Sequence, residues 1–127
     1  METAVRELMR FDPPVQAQEK LIVQDICLGG QRLGRGQTVT VLLGSACHDP
    51  AQFIDPGRLR LDRRPNRHLA LGDGPHRCLG ASLDMAQAKG SLPLLARHAP
   101  RLHPTGPPVR EPNPVLRGIT AAPLRLT

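Results

Sequence analysis

Proline limits where this chain can form helices. The sequence has 127 residues and 14 prolines, and eight of the prolines lie at or after Pro93. Proline lacks a backbone N–H and its ring clashes with the preceding turn, so it kinks or ends a helix. We therefore expect short helices separated by irregular segments, and a last third that is mostly irregular and is loop-like from Pro100 to Pro114.

The first half of the chain combines a short helix with β-like segments. The stretch TAVRELMRF predicts a helix that Thr3 caps and that Pro13-Pro14 must end. Apolar residues then predict strands around Leu21–Val23 and Thr38–Leu43. Glycines at positions 29, 30, 34 and 36 mark turns. The sequence HDPAQFIDPGRLRLDRRPN (48–66) follows as a polar meander.

The second half is expected to hold a glycine-rich loop and one longer helix. Small and apolar residues keep helical spacing after Cys78, at Leu79, Leu83, Ala86, Gly90 and Leu94. Pro93 should kink this helix or end it early. The segment VLRGITAAPLRL predicts one or two short strands. The length of the chain favours a single domain.

The charge balance leaves several kinds of partner open. The formal net charge is +6, which could neutralise phosphates. The arginines are scattered, however, and two Phe are the only aromatic residues, so the stacking surfaces of a nucleic-acid-binding protein are missing. We favour a solvated arginine-rich surface over nucleic-acid binding. We rank a docking surface for an acidic protein between these two interpretations. Arg67 and Arg77 are the candidate residues of that surface.

The number of cysteines and the hydropathy of the chain indicate the cellular compartment in which it folds. Cys27, Cys47 and Cys78 are irregularly spaced and form no C-x-x-C pair. An odd number of cysteines without a signal-like N-terminus favours a reducing cytoplasm over a disulfide framework. No apolar run approaches the length of a membrane span, so we expect no membrane association.

The loop LGDGPHRCLG (71–80) places one thiol in an unusual setting. Cys78 lies just before a predicted helix, where free N–H groups favour an anion and a thiolate can be a nucleophile or a metal ligand. Gly72, Gly74 and Gly80 let the backbone approach a bulky ligand or adopt positive φ. His76 can donate to an acidic group on that ligand. When the loop is considered by itself, an incidental cysteine in a glycine-rich turn explains it as well as a ligand does.

Two other uses of Cys78 fit the spacing less well. A zinc site would draw on Cys47, His48, His76 and Cys78, but no C-x-x-C or H-x-x-x-H pair supplies tetrahedral spacing. A cysteine protease would need a base and an orienting group for Cys78, and nothing in the sequence marks either.

Glu7 and Arg10 form a second feature. They are three residues apart on the first predicted helix, so they share a face and can pair. Most such pairs are solvated, so the pair alone is weak evidence. Its order and distance relative to the cysteine loop make it informative.

These features, in this order, resemble the cytochrome P450 family. ELMRFDPPVQ (7–16) is similar to that family's K helix and the strand after it. GSACHDPAQFIDPGRLRLDRRPNRHLALGDGPHRCLGASL (44–83) resembles its meander, its haem-binding loop and the start of its L helix. LRGITAAPLRL (116–126) resembles its C-terminal β hairpin.

The resemblance implies a fold and an extent. The implied fold class is an α+β fragment, the C-terminal part of the mainly α cytochrome P450 fold. Its parts are a short K helix, small β-strands, the meander, the cysteine loop, the L helix and a C-terminal β hairpin. Residues 1–127 are then the C-terminal portion of a single domain, whose N-terminal portion, including the long I helix, is absent.

The resemblance also implies roles for individual residues. By similarity, Cys78 is the axial thiolate ligand of haem iron, and the thiolate favours O–O cleavage. The implied cofactor is haem b (iron protoporphyrin IX), with His76 at a position that binds a propionate. The other cofactor-binding positions are Lys20, Leu71, Gly72, Gly74, Gly80 and Ala81. Glu7, Arg10 and Arg63 match the family's Glu-Arg-Arg triad, a buried ion-pair network that specifies geometry more than it adds stability.

The sequence departs from the family pattern at several positions. Leu71 stands where the family has an aromatic residue, which leaves one face of the thiolate less shielded. Lys20 replaces a propionate-binding arginine and cannot offer a planar fork. Cys47 and His48 stand where the family commonly has an Asn-Arg pair. We assign no role to Cys47 and His48. The stretch Asp84–Pro93 is unusual for the L helix.

The implied function is that of a haem-thiolate monooxygenase. Such an enzyme inserts one oxygen atom into a small organic substrate, with electrons from a ferredoxin-type or flavodoxin-type redox partner. Because the I helix and the segments that form the substrate pocket are absent, we expect the chain alone to be inactive. The alternatives are a non-catalytic remnant with weak or no haem binding, and a small basic interaction module without a cofactor.

Overall fold

Three helices and eight short strands follow one another in the computed structural model, which describes all residues from 1 to 127. The helices are α1 (Glu2–Phe11), α2 (Leu43–Ala46) and α3 (Ala81–His98). The strands are β1 (Gln18–Leu21), β2 (Ile26–Leu28), β3 (Gln31–Leu33), β4 (Thr38–Val41), β5 (Leu102–Pro104), β6 (Val109–Arg110), β7 (Ile119–Ala121) and β8 (Leu124–Leu126). Short 3-10 turns at Gly74–His76 and Ala99–Arg101 precede and follow α3.

Helix α1 starts earlier than its sequence indicates. Met1 occupies the N-cap position and makes no side-chain hydrogen bond there, so the expectation that Thr3 caps the helix is wrong. Thr3 lies inside the first turn because the helix begins at Glu2. The C-terminal end is as expected: the chain leaves the helical conformation at Asp12 (φ −138°, ψ 75°), the residue before Pro13.

Two antiparallel pairs form the first β region. Strand β1 pairs with β4, with Gln18 opposite Val41 and Leu21 opposite Thr38. Between them β2 and β3 form a hairpin whose turn residues Gly29 and Gly30 have φ of +57° and +79°. Two positive φ angles are the requirement of a type I′ turn, which matches the twist of the flanking strands.

Residues 47–73 contain neither a helix nor a strand, which confirms the predicted meander. Instead, single turns hold this segment, for example the bonds from Phe53 N–H to Asp49 O (2.9 Å) and from Arg63 N–H to Arg60 O (2.9 Å). Its prolines and glycine prevent longer runs of regular backbone bonds.

Helix α3 is longer than its sequence suggests. Of the two outcomes expected for Pro93, a kink or an early end, the early end is wrong, because the helix continues through Pro93 to His98. Pro93 removes the bond to the Lys89 carbonyl and its ring crowds that carbonyl, but the other backbone bonds of the helix can still form. Residues from Leu94 to His98 are exposed, so water can satisfy backbone groups in this last part of the helix.

The C-terminal segment is one interrupted hairpin. Strand β5 pairs with β8, and β6 pairs with β7 inside that outer pair. Strands β7 and β8 are the two short strands expected in VLRGITAAPLRL, whereas β5 and β6 are additional. The expectation of a loop-like chain from Pro100 is therefore wrong for β5 and β6. Both strands are too short, and too closely flanked by prolines, for alternation to be visible in the sequence.

The C-terminal segment is fastened to the end of α1. Arg110 Nη2 lies 3.0 Å from Asp12 Oδ2, and Arg117 Nη1 lies 3.1 Å from Asp12 Oδ1. Backbone bonds run alongside, from Gln16 N–H to Val115 O (2.7 Å) and from Arg117 N–H to Pro14 O (2.8 Å). These contacts bring the two ends of the chain together.

The buried residues are confined to the first part of the chain. Eleven residues are buried, and every one of them lies between Val5 and Ala70. The apolar ones include Val5, Ile22, Leu43, Cys47, Phe53 and Ala70, and three charged residues, Glu7, Arg10 and Arg63, are buried among them. None of the helices combines the length and the apolar character that crossing a membrane requires.

Candidate functional site

Glu7 lies between two buried arginines. Arg10 donates from Nε to Glu7 Oε2 (2.8 Å) and from Nη2 to Oε1 (2.9 Å), a bidentate pair across one turn of α1. Arg63, from the meander, donates from Nε to both Glu7 oxygens at 3.0 Å. The structure therefore brings Glu7, Arg10 and Arg63 together around one carboxylate.

The remaining donors of both guanidinium groups are satisfied by backbone carbonyls of the meander. Arg10 Nη1 donates to Cys47 O (2.8 Å) and Pro56 O (3.0 Å). Arg63 Nη1 donates to Ile54 O (2.7 Å), and its Nη2 donates to Asp55 O (3.2 Å) and to Arg58 O (2.9 Å). Buried charges are tolerated only when paired and hydrogen-bonded in this way.

Glu7 also accepts bonds from the meander itself. Its Oε1 accepts from the Arg60 backbone N–H (2.9 Å), and its Oε2 accepts from Asn66 Nδ2 (3.1 Å). Burial alone would raise the pKa of Glu7, but the bonds from Arg10, Arg60 and Arg63 outweigh it and lower the pKa from 4.5 to about 2. The carboxylate is therefore ionised at neutral pH and fastens α1 to the meander.

Several residues of this network carry no signal in the sequence. The acceptors at Cys47, Ile54 and Pro56 are backbone carbonyls, which any residue type could supply. The side chain of Cys47 is itself fully buried, and burial raises the pKa of its thiol. His48, next to it, bonds through Nδ1 to Gly44 O (3.1 Å). The pair Cys47-His48, to which the sequence assigned no role, thus packs beneath α1.

The loop around Cys78 is closed by its own backbone. Cys78 N–H donates to Leu71 O (2.8 Å), Gly72 N–H donates to Leu69 O (2.9 Å) and Arg77 N–H donates to Gly74 O (3.1 Å). Gly72 and Gly74 have φ of +70° and +69°, a region that other residues rarely adopt. The loop thus holds Cys78 at its end, immediately before α3, with the residue exposed.

Space is left open beside the Cys78 sulfur. A Cβ atom placed on Gly80 would lie 3.7 Å from Cys78 Sγ and 3.9 Å from Asp84 Oδ2. Leu79, next to the cysteine, is exposed to the full extent of its side chain (101%). Cys78 is therefore exposed, next to an exposed apolar residue and to a glycine that adds no side chain beside the sulfur.

The predicted site residues do not all meet. Leu71, Gly72, Cys78 and Ala81 line one open cavity of about 590 Å³, between the cysteine loop and the starts of α1 and α3. His76 lies exposed in the 3-10 turn before Cys78 and forms no hydrogen bond. Lys20 lies on β1 opposite Val39, exposed and without an ion pair.

His68 is a lining residue of the same cavity that the sequence reasoning missed. Its Nδ1 accepts the Ala70 N–H (3.3 Å), which leaves Nε2 as a buried donor without a partner. Burial lowers the pKa of His68, and the charges of Arg6, Arg77 and Arg10 lower it further. The imidazole is therefore neutral at pH 7. A lone histidine that follows one arginine has no sequence signature.

The positions of the cysteine and histidine side chains test whether they could form the zinc site considered from the sequence. No three His, Cys, Asp or Glu side chains lie together in a way that could hold a metal ion. Cys47 is buried under α1 whereas Cys78 is exposed on the loop, so the four residues considered for zinc do not form one centre.

The cytochrome P450 family model matches residues 1–115. The chain belongs to the cytochrome P450 family. It is 35% identical over 124 residues to cytochrome P450 CYP199A2 of Rhodopseudomonas palustris, with 98% of this chain and 30% of that protein aligned. It is 36% identical to the cytochrome P450 monooxygenase PikC of Streptomyces venezuelae, over 98% of this chain and 31% of that protein.

Solved cytochrome P450 structures have the same fold. CYP109E1 from Bacillus megaterium, in complex with testosterone, superimposes with a TM-score of 0.92 at 32% identity over 99% of this chain and 36% of its own. P450BioI, in complex with an acyl carrier protein carrying hexadec-9Z-enoic acid, also has a TM-score of 0.92, at 33% identity over 99% of this chain and 33% of its own. The chain thus spans about a third of the length of the cytochromes P450 that it matches, as a mixed α+β part of that fold.

The residues around Cys78 fit the haem that a cytochrome P450 carries. A thiolate is one of the axial ligands by which proteins hold haem iron. The glycine at position 80 leaves free the place beside Sγ that a side chain would fill. The exposed side chain of Leu79 offers an apolar surface to a macrocycle. The carboxylates of Glu2 and Asp73, which line the same cavity as Cys78, oppose the charge of a thiolate.

Proposed function

We propose that this chain forms the thiolate side of a cytochrome P450 haem site, with Cys78 as the axial ligand of haem b. The observation that carries the proposal is the position of Cys78. It is exposed, and its backbone N–H is bonded to Leu71 O at 2.8 Å, so the loop holds it in place. A cysteine fixed in this way needs little reorganisation to bind a metal, which favours a ligand over an incidental thiol.

The other proposed site residues would seat the cofactor. Gly72 and Gly74 hold the loop in its left-handed turns, and Gly80 leaves room for the ring beside the sulfur. Leu71 and Ala81 would cover part of the apolar ring, since both line the cavity next to Cys78. His76 and Lys20 are exposed and would donate to the propionates.

The triad of Glu7, Arg10 and Arg63 would serve this site indirectly. It fastens α1 to the meander, and the meander leads directly into the cysteine loop through Ala70, which is buried. We assign these three residues a positioning role, because none of them lines the cavity next to Cys78.

Haem held by a thiolate supplies the chemistry of a monooxygenase, the transfer of one oxygen atom from O₂ to an organic substrate. We propose this activity for the enzyme to which residues 1–127 contribute, as the C-terminal portion of one domain in the cytoplasm. Its substrate would be a small organic molecule, and its electrons would come from a ferredoxin-type or flavodoxin-type protein. An acidic partner of this kind would meet Arg67 and Arg77, which flank the loop.

We expect no turnover from residues 1–127 alone. The cysteine loop can cover only the thiolate side of a haem, because none of the side chains around Cys78 is buried and the adjoining helix α3 has no buried residue. A reactive site needs its water excluded. This same observation favours the second candidate, a non-catalytic chain that binds haem weakly.

A spectroscopic experiment tests the proposed ligand. The chain is expressed with added haem, and the carbon monoxide difference spectrum of the reduced form is recorded for the parent chain and for Cys78→Ser. We expect a thiolate-type Soret band from the parent chain and its loss in the variant, because serine cannot supply the thiolate.

Cys27→Ser is the matched control. Cys27 is the other exposed cysteine and lies on β2, away from the loop. It should leave the Soret band unchanged. A band that persists in Cys78→Ser, or a flat spectrum at every haem concentration, would contradict the assignment of Cys78. A thiolate band that appears only at high haem concentration would support the weak-binding candidate.

A further inference from the structure

Cys47 differs from the other two cysteines in its surroundings. Its side chain is fully buried (0% exposed), whereas Cys27 and Cys78 are exposed. Burial raises the pKa of the Cys47 thiol, so the sulfur is protonated and uncharged at neutral pH. A buried neutral thiol is inert as a nucleophile, and its sulfur acts as a weak hydrogen-bond donor and acceptor.

Two backbone N–H groups next to the cysteine loop use this sulfur as an acceptor. The N–H groups of Leu69 and Ala70 donate to the Cys47 thiol. The Leu69 N–H has no other acceptor, and the Ala70 N–H has only a long bond to His68 Nδ1 (3.3 Å). The sulfur therefore satisfies main-chain donors that would otherwise lack a good partner.

The carbonyl groups of the same short segment close the cysteine loop. Leu69 O accepts from Gly72 N–H (2.9 Å), and Leu71 O accepts from Cys78 N–H (2.8 Å). Residues 69–71 thus bind the core through two N–H groups and the loop through two carbonyls. A shift of this segment would displace both acceptors of the loop together.

The backbone of Cys47 is joined to the ion-pair network at the same time. Its carbonyl accepts from Arg10 Nη1 (2.8 Å), and its N–H donates to Leu43 O (3.0 Å) at the end of α2. A continuous hydrogen-bond path therefore runs from Arg10 through Cys47 to residues 69–71 and ends at Cys78. Because every residue type has the carbonyl, a substitution of Cys47 interrupts this path only at the sulfur.

We propose that Cys47 is a positioning residue for the cysteine loop: its buried sulfur holds Leu69 and Ala70, and these residues fix the backbone that carries Cys78. The sequence gives no sign of this role, since the family commonly has asparagine at position 47. The use of the loop to bind haem rests on the proposed function. The positioning itself involves only residues of this chain and does not require haem.

Hydrogen exchange of the chain without haem tests the proposal. Cys47→Ala removes the acceptor and keeps the carbonyl bond to Arg10. We expect the amides of Gly72 and Cys78 to exchange about tenfold or more faster relative to those of α1, because N–H groups that lose their partner favour opening of their segment. NMR measures exchange at each amide, and division by the α1 rates removes a change in overall stability.

Cys47→Ser and Ile22→Val are the matched variants. Serine has nearly the shape of cysteine and its hydroxyl is also an acceptor, so Cys47→Ser should keep the relative exchange of the loop within about threefold of the parent chain. Ile22 is buried (8% exposed) and its apolar side chain accepts no hydrogen bond. Ile22→Val should destabilise the core and leave the relative exchange of the loop unchanged.

Two results would overturn the proposal. One is an unchanged relative exchange rate of the loop in Cys47→Ala, and the other is the same acceleration in Ile22→Val, which would show a general effect of core packing. Cys47→Val fills the space of the sulfur without accepting a bond, so it decides the question if Cys47→Ala does not fold.

The haem ligand is tested separately by the carbon monoxide spectrum of Cys78→Ser. Faster exchange of the loop in Cys47→Ala, combined with a flat haem spectrum of the parent chain, would support the positioning role of Cys47 and reject the proposed function. A thiolate band in the parent chain with unchanged loop exchange in Cys47→Ala would do the reverse.

Discussion

At the scale of single residues, Glu7 is the carboxylate that joins α1 to the meander. It is fully buried and compensates two arginines whose other donors are already used on backbone carbonyls. Glu7→Gln keeps the shape but removes the charge, so Arg10 and Arg63 remain buried without a counterion. We expect the free energy of unfolding at pH 7 to fall by about 3–5 kcal/mol, measured by urea denaturation.

Glu19→Gln provides the comparison for this substitution. Glu19 is exposed on β1 and forms no ion pair, so its loss should change the free energy of unfolding by less than about 0.5 kcal/mol. Equal effects of the two substitutions would show that the buried network does not hold α1 to the meander.

The same carboxylate predicts a dependence of stability on pH. The pKa of Glu7 is lowered from 4.5 to about 2, so its contribution is complete above pH 4.5 and is lost as pH falls towards 2. This difference corresponds to about 3 kcal/mol. Unfolding curves measured between pH 7 and pH 2 should show this loss in the parent chain and a shallower decline in Glu7→Gln. Parallel curves would contradict the assignment.

Residues differ in how much of their role the sequence reveals. The pairing of Glu7 with Arg10 follows from helical spacing, and Arg63 was expected beside them from the family resemblance; the structure shows both ion pairs, at 2.8 and 3.0 Å. The carbonyls of Cys47, Ile54 and Pro56 could not be predicted, since acceptors on the backbone do not depend on residue type. The roles of Cys78 and His76 towards haem stay predictions.

At the scale of elements, glycines and prolines in the sequence predicted where turns form. Which short segments become strands depends on pairing with distant parts of the chain. Gly29 and Gly30 give a hairpin turn where the sequence places one. Strands β5 and β6 exist only because β8 and β7 pair with them, so no local pattern could reveal them. The apolar stripe on α3 correctly indicates a helix, but it does not lie on the side that packs towards α1.

Pro93 gives a prediction for α3. A proline in a helix interior costs up to about 3 kcal/mol relative to alanine, and α3 continues for five residues beyond it. Pro93→Ala should therefore raise the helical signal in circular dichroism and stabilise the chain by about 1–3 kcal/mol. Pro112→Ala, in an exposed bend outside any helix or strand, should do neither. No gain in Pro93→Ala would show that α3 unfolds beyond the proline in solution.

At the scale of the whole molecule, the chain consists of two unequal parts. The first, up to Ala70, has a core built around an ion-pair network, and the second has secondary structure without buried residues. The proposed haem ligand lies just inside the second part, close to the boundary. The core of the first part ends at Ala70, directly before the cysteine loop, and none of the residues around Cys78 is buried.

Hydrogen exchange of the chain should reveal this division. Both parts contain backbone hydrogen bonds, but protection from exchange requires that the bonded structure open rarely, and opening is easiest where few apolar side chains are buried. We expect amides of α1 to exchange at least about tenfold more slowly than those of α3, although α3 is the longer helix. Mass spectrometry of exchange on the intact chain measures the difference. Equal protection of the two helices in the free chain would mean that the exposed side chains of α3 are covered by contacts within the chain.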